Sequence, residues 1–166
     1  MKIKNTVENI LCVLLLILIS SSSFANNKTL SIQSLLINLP KKYNYLAPDD
    51  SQTRLLGKSS RGNMAHFTLP PHTTSKAIHQ RSVQELWYFL SGTGQVWLKY
   101  KGKSEIYKVS GGSSLTLPND IDFQFRNLSN TKNLVFLDVT MPPWPGDSVI
   151  SYIKGPWKPT IPASNS

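Results

Sequence analysis

The sequence predicts an all-β protein, a sandwich or barrel assembled from many short strands. Two observations carry that expectation. From Asn63 onward, short apolar or alternating runs recur at close intervals, each bounded by glycine, proline or asparagine turns. No part of that region repeats its apolar residues at the spacing of an amphipathic helix.

In chain order the expected strands are Met64–Leu69, Ser75–His79, Glu85–Leu90, Gln95–Tyr100, Glu105–Val109, Ser114–Leu117, Ile121–Arg126 and Leu134–Thr140. Pro70-Pro71, Ser91-Gly92-Thr93-Gly94, Lys101-Gly102-Lys103, Gly111-Gly112 and Pro118-Asn119-Asp120 separate them, as does the polar stretch 127–133. These residue types relax or fix the backbone where a strand must reverse. Ahead of this core, Leu30–Asn38 reads as an early strand, and residues 41–62 as a polar connection with turn formers at Pro48-Asp49-Asp50. Beyond it, the tail from Pro142 holds six of the eleven prolines, a density that excludes helix or central strand. Trp144 and Trp157 lie in that tail, and large aromatics there predict a segment that wraps the domain or crosses to a partner subunit.

The first residues read as a secretory signal: Met1-Lys2-Ile3-Lys4, an apolar run from Ile10 to Ile19, then Ser23-Phe24-Ala25 as the small-x-small cleavage site. The run is short of the ~20 residues that span a bilayer, so cleavage with no stable membrane insertion is expected, and a periplasmic or secreted location. The expected organisation is therefore a signal peptide at 1–25, an N-terminal strand and connecting region at 26–62, a core at 63–141 and a proline-rich tail at 142–166. The single cysteine, Cys12, falls in the leader, which leaves the core to hold the fold without disulfides. The chain carries 18 basic and 9 acidic residues, a net charge of +9. The basic residues are scattered rather than blocked, and with an exported destination they read as a solvated surface, not a nucleic-acid interface. No phosphate-binding loop, serine elbow, CxxC pair or dinucleotide fingerprint is present.

The stretch from His79 to Asn127 resembles the cupin family. The first cupin motif runs glycine, five residues, His-x-His, three or four residues, Glu, six residues, Gly; here His79 and Glu85 stand at that interval and Gly92 closes it. The second runs glycine, five residues, Pro-x-Gly, two residues, His, three residues, Asn. Gly112, Pro118 and Asn127 fall in phase, with Asp120 at the glycine position and Phe123 at the histidine position. The segments QELWYFLSGTGQVWL, LPNDIDFQFRN and VTMPPWPGDS are similar to a subgroup of small single-domain cupins, a closer likeness that implies no activity. The resemblance implies a cupin jelly roll, either barrel or sandwich, and in metal-binding cupins three histidines and a glutamate converge inside it.

In this phasing the second histidine position is Arg81 and the third Phe123. A guanidinium is permanently cationic and a phenyl ring has no lone pair, so neither ligates a metal. The expectation is a barrel without a cofactor, a divalent metal being the minor alternative. His66 and His72 are the remaining histidines that could complete a rearranged site; His72 reads as a surface turn residue. Alternation from Glu85 puts Trp87 and Phe89 on its face, and Phe125 joins Phe123. The expected ligand site is thus His79, Arg81, Glu85, Trp87, Phe123 and Phe125, an aromatic lumen with a small polar cluster. Arg81 would pair with Glu85 or receive a carboxylate or phosphate, so an anion is one candidate ligand. Aromatics that simply fill the barrel are the competing reading. No residue is assigned a catalytic role. The expected function is binding of a small organic ligand by a homodimeric, exported protein. The alternatives are a metal-dependent oxygenase, isomerase or epimerase built around His79 and Glu85, and a non-catalytic interaction protein.

Overall fold

The computed structural model describes residues 35–160; the leader, the first part of the early strand expected at Leu30–Asn38 and the last six residues lie outside them. Eleven strands follow one another: β1 (Tyr45–Leu46), β2 (Gln52–Lys58), β3 (Asn63–Leu69), β4 (Ile78–Gln80), β5 (Gln84–Ser91), β6 (Thr93–Tyr100), β7 (Lys103–Ser110), β8 (Ser114–Leu117), β9 (Ile121–Asn127), β10 (Leu134–Met141) and β11 (Ile150–Tyr152). They form two antiparallel sheets, β1-β2-β3-β10-β5-β8 and β11-β4-β9-β6-β7, which face one another as a jelly-roll sandwich. Among the described residues no helix is long and apolar enough to cross a membrane.

Alternation decides which side chains meet between the sheets. On β5 Glu85, Trp87 and Phe89 are buried while Leu86, Tyr88 and Leu90 are exposed. On β10 Leu134, Phe136, Asp138 and Thr140 are buried in the same rhythm. Trp87 and Phe136 stack at 4.6 Å between ring centroids, and Phe123 and Phe125 from the opposite sheet meet Trp87 edge-on at 5.2 and 5.4 Å. Edge-to-face contacts of this kind add to the stabilisation from burial alone.

The ends of the chain differ from the sequence expectation. Leu35–Asn38 form no strand, and the region expected as a polar connection contains β2. Gln52-Thr53-Arg54-Leu55 lacks an apolar alternation; it is a strand because β3 pairs with it and Arg54 donates to Pro40 O and Thr68 Oγ1 at 3.1 and 3.2 Å. Asp49 shapes the turn before it, its Oδ1 accepting the Ser51 amide at 2.8 Å. In the tail, the proline-free stretch 146–155 allows a 3-10 turn at Asp147–Val149 and the edge strand β11 beside β4.

Residues 153–160 of the tail run along the outer face of the five-stranded sheet, the Ile153 and Thr160 amides donating to Ala77 O and Thr74 O at 3.1 Å. Gln124 points outward from β9, donates to Trp157 O at 2.9 Å and accepts the Trp157 amide at 3.1 Å. The Arg126 guanidinium lies 4.3 Å from the Trp157 ring centroid. Trp144, by contrast, is fixed at the other end of the sandwich by its amide, which donates to Asn63 Oδ1 at 2.6 Å.

Candidate functional site

Four positive-φ positions fix the phase of the two motifs. Gly92, Gly112 and Asp120 have φ of 86°, 92° and 62°, and each occupies a glycine position of the motifs. The fourth is His72, with φ of 56°, and it stands six residues before Ile78. Counting from His72 puts the His-x-His pair of the first motif at Ile78 and Gln80, with four residues before Glu85 rather than three. Burial agrees: Ile78 and Gln80 point inward from β4, and His79 between them points out. A shift of one residue in a strand exchanges its two faces, which is why His79 and Arg81 leave the lumen.

His79 therefore sits on the outer surface. Its Nδ1 is 2.7 Å from Asp122 Oδ1 and its Nε2 is 3.3 Å from Asp120 Oδ1. Arg81 is exposed and donates to Ser151 Oγ of the edge strand, so the expected Arg81–Glu85 pair does not form. Gln80 replaces it, its Nε2 donating to Val83 O at 2.6 Å and lying 3.4 Å from Glu85 Oε1. His66 lies on the outer face of β3, across from Arg54 of β2. His72 is exposed in its turn, as expected. Among the described residues its imidazole makes no hydrogen bond, so His72→Gly is expected to relieve the left-handed backbone and stabilise the fold by about 0.5–1 kcal/mol. Urea denaturation reads this as a higher midpoint; a lower one would show that the imidazole itself contributes.

The inward positions of the motifs thus carry Ile78, Gln80, Glu85 and Phe123. An alkyl chain and a phenyl ring offer no lone pair, so this set does not fit the three-histidine, one-glutamate centre of metal-binding cupins. Among the described residues no group of three or more His, Cys, Asp or Glu side chains is arranged to hold a metal ion. The rearranged set around His79 and Glu85 is not assembled either, because Glu85 points between the sheets from β5 whereas His79 points away from them on β4.

A cavity of about 310 Å³ lies at this end of the sandwich. Glu85, Trp87 and Phe123 line it, whereas Phe125 is buried behind them in the core. Further lining comes from regions outside the motifs: Tyr45, Ala47, Pro48, Asp49 and Leu55–Lys58 ahead of them, and Trp144 and Ile150 of the tail. Three acidic side chains, Asp49, Glu85 and Asp138, line it as well. Asp138 and Asp49 were not singled out in the sequence. Asp138 was legible in principle, since it shares the inward parity of Phe136 in Leu134-Val-Phe-Leu-Asp138-Val-Thr140. Asp49 sits in a turn, where alternation says nothing.

Trp87 Nε1 donates to Glu85 Oε2 at 2.8 Å, and Thr140 Oγ1 donates to Asp138 Oδ2 at 3.1 Å. Asp138 Oδ1 is buried without a partner. Burial pushes Glu85 up to about 7, and the Asp49 charge adds to this while the Trp87 and Gln80 bonds oppose it. Burial likewise pushes Asp138 well above the usual carboxylate range, with Glu85 beside it acting in the same direction. Asp49 rises to about 6, again through burial, against the two hydrogen bonds from Ser51. Carboxyls held near neutrality in an aromatic cavity can exchange protons with a bound molecule or accept its donors.

The architecture and the motif geometry define a cupin jelly roll. Residues 65–140 match the family model described as "Cupin domain". Among solved structures, the capsular polysaccharide assembling protein CapF from Staphylococcus aureus superposes with a TM-score of 0.56 at 17% identity, over 73% of this chain and 34% of CapF. Streptomyces PAC13, whose structure contains uridine, superposes with a TM-score of 0.56 at 8% identity, over 72% of this chain and 92% of PAC13. This chain therefore spans about a third of CapF and nearly all of PAC13. No curated protein matches the chain in sequence.

Proposed function

We propose that the barrel binds a small organic molecule in the cavity lined by Glu85, Trp87, Phe123 and Asp138, without a metal among its side-chain ligands. The observation that supports this most is Asp138 Oδ1, a buried acceptor without a donor beside an aromatic cavity. Leaving such an atom unpaired costs about 1–3 kcal/mol, which a ligand's donor would offset. The volume lies at the lower end of the roughly 300–1,000 Å³ common for ligand sites, which suits a small molecule. Arg81 gives no reason to favour an anion, because its guanidinium lies outside this cavity.

A thermal-shift screen of sugars, amines, alcohols and carboxylates tests the reading, with tryptophan fluorescence as a second readout, since Trp87 and Trp144 both line the cavity. A hit is expected to survive Arg81→Ala and to vanish in Ala65→Leu, which fills the space beside Asp138. A response that persists in Ala65→Leu, or a screen without hits, would move the function away from the barrel.

A further inference from the structure

We propose that the ligand of this cavity is an organic cation, a primary amine with a compact apolar or aromatic body. The inference rests on the binding role assigned to the cavity and concerns the charge of what enters it. Among the described residues, three buried side-chain atoms have no hydrogen-bond partner: His66 Nδ1, Gln80 Oε1 and Asp138 Oδ1. The His66 atom belongs to the outer face of β3. The other two are acceptors: Asp138 Oδ1 belongs to a residue that lines the cavity, and Gln80 Oε1 to a residue behind the lining whose Nε2 lies 3.4 Å from Glu85 Oε1. The Trp87 and Thr140 donors nearby are already engaged with Glu85 and Asp138. For an ionised Asp138 the unmet need is a donor, and an ammonium supplies three with no acceptor to leave unpaired.

Charge points the same way. Asp49, Glu85 and Asp138 bring three acidic groups to the lining, and the one basic side chain there, Lys58, is exposed at the rim. Tyr45 is the remaining titratable group of the wall, and nearby Asp147, Asp138 and Asp49 all act on its phenol. A carboxylate ligand would enter a poorly hydrated space beside three acidic groups that burial already makes hard to ionise; an ammonium would favour their ionised forms instead. The walls suit a cation as well. Trp87, Phe123, Phe136, Phe67, Trp144 and Tyr45 surround the carboxyls, and the faces of such rings attract ammonium groups. An aryl or alkyl body would then occupy the apolar part of the cavity.

The same arrangement couples binding to protons. A cation beside Asp138 and Glu85 favours their ionised forms, so its arrival displaces a proton into solvent. Affinity should accordingly rise with pH until the pair is ionised in the free protein as well.

The test is a charge series on one body: phenethylamine, 2-phenylethanol and 3-phenylpropionate, titrated calorimetrically into the full chain at about pH 6 and about pH 8. Phenethylamine should bind at least tenfold tighter than the alcohol, the propionate should not bind, and the amine should bind tighter at the higher pH. Heats measured in two buffers of different ionisation enthalpy should report proton release. Asp138→Asn should weaken the amine at least tenfold and leave the alcohol unchanged, while its melting temperature at pH 8 stays at or above that of the parent chain. If the alcohol or the propionate binds as well as the amine and is lost in Ala65→Leu, the cavity binds organic molecules but the cation assignment is wrong. Failure of the whole series overturns the cation assignment too, and the cavity itself is abandoned only if the broader screen also yields nothing.

Discussion

Lowering the pH from about 8 to about 5 is expected to stabilise the folded chain, the reverse of ordinary acid sensitivity. Burial raises Asp49 from 3.8 to about 6 and Glu85 from 4.5 to about 7, and it shifts Asp138 in the same direction. In the unfolded chain these groups return to their ordinary range. Between the two ranges the native state keeps protons that the unfolded chain has released, so each unit of rising pH costs about 1.4 kcal/mol per group. The stabilisation is complete below the unfolded values and lost as the pH climbs through the folded ones. For Asp49 alone, a shift of this size corresponds to roughly 3 kcal/mol. The rise must end in stronger acid, where the net charge of +9 grows. Urea midpoints between about pH 4 and 9 should therefore peak near pH 5. Glu85→Gln and Asp138→Asn should each raise the midpoint at pH 8 and flatten the slope. A chain equally stable at pH 5 and pH 8 would mean that water reaches these carboxyls freely.

How much of this was legible in the sequence depends on what each residue's signal was. The eight strands of the core were readable because their alternation and turns are local properties, and Glu85, Trp87 and Phe89 share a face for the same reason. β2 was not readable, because Gln52-Thr-Arg-Leu carries no strand pattern and exists through its partner β3. The phase of β4 failed for a subtler reason. His79-x-Arg81 and Ile78-x-Gln80 both satisfy the interval before Glu85, and a visible histidine draws the first. The deciding observation is the left-handed backbone at His72, a conformation that its residue type does not announce. Gln80 and Ile78 then take the inward places, and the polar character of the site passes from an arginine to Asp138 and Asp49. A lone acid at an inward position of β10 was a usable signal, since an unpaired buried charge is expensive and seldom incidental. The cavity walls were beyond reach, because Tyr45, Trp144 and Ile150 meet there only through the return of both ends of the chain.

Trp87 is where packing and the site's electrostatics join, and two substitutions separate them. Trp87→Ala is expected to cost about 3–5 kcal/mol even near pH 5, since it removes a fully buried ring from the centre of the core. Its partners, Phe136 at 4.6 Å, Phe123 at 5.2 Å, Phe125 at 5.4 Å and Phe89 at 6.3 Å, belong to three strands of both sheets and cannot all close the gap. Trp87→Phe keeps much of that contact but removes the Nε1–H donor that holds Glu85 Oε2 at 2.8 Å. Glu85 then becomes harder to ionise, so beyond the cost of the smaller ring a further loss of about 1–3 kcal/mol is expected near pH 8. That part should shrink near pH 5, where Glu85 is protonated in both proteins. Chemical denaturation of the two variants at both pH values distinguishes the effects: the loss at pH 5 reports packing and should be much larger for Ala, while the extra loss at pH 8 reports the missing donor and should appear in both. An equal shift for Phe would show that the indole acts only as a packing element, and that the charge of Glu85 is held by Gln80 instead.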